Sequence, residues 1–152
     1  MMRDYSALRS LSICLFMLAL SSTAGEHAAR GAESNRGVRL AVETDRPTYQ
    51  PGDAIGFRVT VSNASANPVN LRCKDSQRFD VTVQDSTEKE VWRWSADRMF
   101  AQMMSEDTLA PGQSRSYTAS FTGNLPLGQY RASGTIVCLE PPPSASIVFN
   151  IR

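Results

Sequence analysis

Few of the side chains able to donate electrons, protons or ligands stand at spacings that chemistry requires. Cys73 and Cys138 remain as a pair once Cys14, inside an apolar N-terminal run, is set aside. Such a pair either forms a disulfide or stays as two buried thiols behaving as small hydrophobes. Met99, Met103 and Met104 carry soft thioether sulfurs suited to Cu(I), and one helical turn would bring them together. The competing expectation has them filling the core beside Trp92 and Trp94, and the lack of a nearby histidine favours the core. The single histidine, His27, precedes the folded region, so no Ser-His-Asp or Cys-His arrangement can be assembled there. The sequence has no His pair, no Cys-x-x-Cys, no run of alternating Asp and no glycine-rich phosphate loop. Catalytic residues: none; metal ligands: none; cofactors: none; the chain reads as a non-enzyme.

Charge narrows the partners. Sixteen Lys and Arg against fifteen Asp and Glu leave a net charge of +1, which provides no electrostatic footprint for nucleic acid or an anionic membrane. A length of 152 residues fits one domain. Its start differs from the rest: Arg3 and Arg9, an apolar run from Leu11 to Leu20, then Ser22-Thr23-Ala24. That pattern predicts a signal peptide over 1–24, cleavage near Ala24 and export, periplasmic or secreted. The run is shorter than the roughly 20 residues a bilayer requires, so no membrane span is expected in the mature chain. Residues 25–37 are small, polar and aperiodic and read as a flexible leader; 38–152 form the domain.

Export bears on the cysteines, because oxidising compartments preserve disulfides. Phase agrees. Val69, Leu71 and Cys73 alternate on one face of a strand, as do Tyr130, Ala132, Gly134, Ile136 and Cys138 on another, so both thiols reach the core side. A Cys73–Cys138 bridge is the expectation.

The elements that must position these residues are short strands. Val38/Leu40/Val42, Ile55/Phe57/Val59/Val61, Phe79/Val81/Val83, Tyr117/Ala119/Phe121 and Ile147/Phe149/Ile151 each recur at every second position. Trp92 and Trp94 share one face of a further strand. Ser95 then offers an N-cap, and Met99/Met103 and Phe100/Met104 pair at i,i+4, predicting a single helical turn. Pro111-Gly112 reverses the chain. Pro141-Pro142-Pro143 makes an extended connection. About seven to nine strands so spaced predict an all-β fold, an antiparallel two-sheet Ig-like β-sandwich with at most one short helical turn.

Val91-Trp92-Arg93-Trp94-Ser95, then Met99-Phe100-Ala101-Gln102, then Leu109-Ala110-Pro111-Gly112, then Gly128-Gln129-Tyr130, in that order, resembles the BsuPI-type intracellular proteinase inhibitor domain, from about Val38 to about Val137. The resemblance implies that Trp92, Trp94, Ser95, Phe100, Pro111, Gly112, Gly128 and Tyr130 make the fold, with the partner site elsewhere. It also implies a protein partner, a subtilisin-like serine protease. An inhibitor needs an exposed, extended segment that loses little entropy on docking. Leu139, Glu140, Pro141, Pro142 and Pro143 fit that need best; the competing reading is a stiff connection between strands. The alternative function is an exported Ig-like module that binds a protein or an envelope component without inhibiting it.

Overall fold

The period of two becomes eleven strands in a computed structural model that describes residues 31–35 by backbone alone and 37–152 in full. They are β1 (Gly31–Asn35), β2 (Val38–Thr44), β3 (Thr48–Tyr49), β4 (Ile55–Asn63), β5 (Val69–Cys73), β6 (Phe79–Gln84), β7 (Glu90–Arg93), β8 (Ser105–Leu109), β9 (Ser114–Phe121), β10 (Gly128–Ile136) and β11 (Ser144–Ile151). One layer runs β1-β2-β4-β9 and the facing layer β3-β11-β10-β6-β7. A ribbon of β5 and β8 closes one side and adds Leu71, Cys73 and Leu109 to the core. Every pairing is antiparallel except β3 with β11.

Alternation explains the layering. Ile55, Phe57, Val59, Val61 and Asn63 of β4 are buried while Gly56, Arg58, Thr60 and Ser62 are not, and Ala145, Ile147, Phe149 and Ile151 of β11 repeat the pattern from the other side. Each large apolar side chain so buried contributes about 1.5–3 kcal/mol. Gly134, among the inward positions of β10, lies where the layers approach closely: a Cβ there would stand 2.7 Å from methyls of both Val42 and Val59.

An aromatic wedge closes the edge between β7 and β9. Trp92 stacks on Phe57 at 5.8 Å and meets Phe121 edge-on at 5.5 Å. Trp94 stacks on Phe79 at 4.2 Å, and Phe79 on Tyr117 at 5.2 Å. Trp92 thus joins the two layers directly and Trp94 does so through Phe79, closing an edge that small residues would leave open to water.

Three expectations are corrected. Part of the stretch read as a flexible leader, Gly31–Asn35, is a strand paired with β2 from Gly31↔Val42 to Asn35↔Val38; its partner's backbone supplies an order that its own side chains do not signal. No helix exists among the described residues. After Trp94 the chain makes only turns, with Arg98 N donating to Ser95 O at 3.2 Å, and the Ser95 hydroxyl donates to Asp80 and does not cap a helix. Lastly, Met99, Met103 and Met104 lie outside the core, 100%, 66% and 81% exposed. The chain must travel from β7 to the β5–β8 ribbon, and that path leaves them facing water. The helical turn that would have gathered their sulfurs around Cu(I) is absent from the described residues.

Candidate partner-binding site

Three connections meet at one end of the sandwich: the turn 74–78 between β5 and β6, the segment 94–104 between β7 and β8, and the connection 137–143 between β10 and β11. Binding surfaces of β-sandwiches are commonly built from such loop clusters on a rigid frame. Cys73 and Cys138 are bonded, which ties the third connection to the start of the first across 65 residues of chain. Backbone bonds reinforce the tie: Arg72 N donates to Cys138 O at 2.9 Å and Val137 N to Arg78 O at 3.2 Å.

Within 137–143, Leu139 is half-buried, Glu140, Pro141 and Pro142 are exposed, and Pro143 is buried. The Glu140–Pro141 peptide is cis. The expected run of exposed residues is therefore narrower than Leu139 to Pro143. Because β10 and β11 are adjacent, paired as far as Thr135↔Ser144, the prolines make a hairpin connection, and Pro143 O accepts from Ile136 N at 3.2 Å. Lys74 reaches Glu140 at 3.7 Å with both side chains exposed, a pair worth little by itself.

The motif residues lie away from this tip or beneath it. Trp92 and Trp94 form the wedge, and Phe100 sits 5.8 Å from Trp94. Pro111-Gly112 turns the chain into β9; Gly112 has φ 77°, a left-handed conformation that glycine adopts without strain, and its N–H donates to Asn63 O at 2.9 Å. Gly128 opens β10, and the Tyr130 hydroxyl donates to Pro126 O at 2.9 Å, four residues back, as a tyrosine corner does.

Asp80 is the residue that the sequence did not reveal. Its carboxylate is buried and accepts from Ser95 Oγ at 2.7 Å, Ser95 N at 3.2 Å, Arg93 Nη1 at 3.1 Å and its neighbour Val81 N at 2.9 Å. Thus in Trp92-Arg93-Trp94-Ser95 the indoles face the interior while Arg93 and Ser95 hold Asp80 on the opposite face. Glu90, at 2.5 Å, and then Asp80 hold the Arg93 guanidinium in its charged form, raising its pKa. A buried acid so supplied with donors is a structural clamp. The only outward hint is an acidic residue flanked by Phe79 and Val81.

No cluster of three or more His, Cys, Asp or Glu suited to a metal ion occurs among the described residues, nor is any helix there long and apolar enough to cross a membrane.

A sequence model of the BsuPI family, described as intracellular proteinase inhibitor, matches residues 42–140. This chain belongs to the BsuPI family. That description is of inhibitors and not of enzymes, so the chain is a non-catalytic, proteinase-inhibitor-like domain, and the description implies a protein partner. The family's intracellular description overturns the expectation of export after cleavage near Ala24. Residues 1–30, with the predicted signal peptide, His27 and Cys14, lie outside the described residues. Comparison with curated proteins gave no match. Among solved structures, the chain is similar to the C-terminal domain of Wzt, with TM-score 0.53 and 12% identity over 81% of this chain and 78% of that one, a likeness of fold alone. It also matches Spo0M from Bacillus subtilis (TM-score 0.46, 13% identity, 76% of this chain and 48% of that one). A third match is the putative ApaA protein from Bordetella pertussis (TM-score 0.45, 16% identity, 81% and 97%).

Proposed function

We propose that the BsuPI domain in this chain binds and inhibits a subtilisin-like serine protease through the connection from Leu139 to Pro143, with Glu140, Pro141 and Pro142 as the contacting tip. One observation carries the reading: three exposed residues project from a base held by the Cys73–Cys138 bond on one side and the Ile136–Pro143 hydrogen bond on the other. Two of the three are prolines, whose φ is already restricted. Docking such a tip orders little that is not ordered beforehand, so more of the contact energy appears as affinity.

The test is a panel of subtilisin-like enzymes titrated with the purified chain at micromolar concentration. The reading expects at least one enzyme to be slowed, and a Pro142→Gly variant to raise the inhibition constant by about tenfold, the equivalent of roughly 1.4 kcal/mol. If no enzyme is slowed, the domain is a protein-binding sandwich without inhibitory activity. Unchanged inhibition by Pro142→Gly would move the contact off this tip.

A further inference from the structure

The segment from Asp97 to Met104 has no regular structure but is held in place at several points. Phe100 packs near Trp94, and the Arg98 guanidinium lies 4.4 Å over the Trp94 ring. Ala101 exchanges two hydrogen bonds with Ser76, its N–H donating to Ser76 Oγ at 2.8 Å and its carbonyl accepting from Ser76 N at 2.9 Å. Met103 N donates to Ala101 O at 2.8 Å. Yet the three methionines on this anchored segment stand in water. Apolar side chains so displayed on ordered backbone contribute little to the folded state, and methionine is enriched where proteins meet because its thioether stem repacks around a partner.

The position of Met104 joins this segment to the proposed contact. Met104 and Leu139 line the same groove, about 710 Å³ in volume, with the Cys73–Cys138 bond in its wall. The charges on the rim are matched within the chain: Arg72 with Glu106 at 3.2 Å and Lys74 with Glu140 at 3.7 Å. A groove with an apolar wall and a rim neutralised in pairs suits an uncharged, apolar occupant, since a charged one would lose its hydration without gaining a counter-charge.

We propose that Met104, with its chain neighbour Met103, forms a second arm of the partner contact, and that the groove between it and Leu139 receives an uncharged apolar side chain of the protein bound at the Glu140-Pro141-Pro142 tip. This rests on the proteinase-binding reading of that tip and extends it: one arm is stiff and proline-based, the other adaptable.

A Met103→Gln/Met104→Gln double variant tests it, because both side chains are exposed and the fold does not depend on them. With the protease that the wild-type chain inhibits best, the double variant is expected to bind about tenfold or more weakly, chiefly through faster dissociation, at an unchanged melting temperature. Wild-type affinity in the double variant overturns the second arm while leaving inhibition through the tip intact. If the wild-type chain inhibits no protease, the tip reading fails, and the groove is judged separately with anilinonaphthalene sulfonate. Saturable fluorescence enhancement that the double variant loses supports an apolar binding groove. No enhancement, or equal enhancement in both proteins, overturns it.

Discussion

The hydroxyl of Ser95 donates to the carboxylate of Asp80 over 2.7 Å, a bond made across 15 residues of chain and sheltered by the edge strand that carries Trp92. Hydrogen bonds to a charged group are among the stronger ones, so Ser95→Ala is expected to lower stability by about 1.5–3 kcal/mol. Urea unfolding should report this as a lower midpoint at an unchanged slope. A loss of only a few tenths would mean that the backbone N–H of Ser95 and the Arg93 guanidinium satisfy Asp80 unaided.

Reducing or removing the Cys73–Cys138 bond frees a closed loop of 65 residues' separation. In the chain-entropy account its closure stabilises the fold by about 4 kcal/mol. The Cys73→Ser/Cys138→Ser variant should therefore unfold at clearly lower urea concentration than the oxidised wild type and match the reduced wild type. An oxidised wild type no more stable than the variant would remove the bond from the account of stability.

Gly134→Ala should destabilise by about 1–3 kcal/mol, as overpacking of a filled core does. The added methyl meets Val42 and Val59, one on each of two adjacent strands of the facing layer, both at 2.7 Å. A companion Val59→Ala substitution in the Gly134→Ala background should recover part of the loss; additive destabilisation would show that the layers do not touch there.

Alkaline pH should also weaken the fold through Tyr49. Its burial first, and the bond from its hydroxyl to Asp45 at 2.5 Å second, push its pKa from 10.0 up to about 12. The folded chain thus keeps a proton that the unfolded chain releases. The stability this confers is complete below pH 10.0 and is lost as pH rises towards about 12. Unfolding measured across that window should be less pH-dependent for Tyr49→Phe than for wild type; identical slopes would deny Tyr49 the role.

The architecture was readable because inward positions recur at every second residue and the layers alternate wet and dry. Cys73 and Cys138 could be placed on core faces for the same reason. Asp80 could not: it shares a phase with Thr82 and Gln84, and that face is covered at Asp80 only because Arg93 and Ser95 fold over it, a fact of pairing that local sequence does not hold. The methionines misled through spacing alone. An i,i+4 recurrence imitates an amphipathic helix, but β8 must pair with β5 from Ser105↔Cys73 onward, and the chain reaches it by turns and irregular backbone. The burial of Pro143 is likewise not legible, because a run of three prolines reads as extended and solvated when nothing tells that its flanking strands are neighbours.

The reciprocal bonds between Ser76 and Ala101 make the short turn and the methionine segment mechanically one piece. Lengthening the turn by a residue would carry the Met104 thioether away from the groove, so anyone grafting a new target preference onto this scaffold would have to exchange both stretches together, as a cassette.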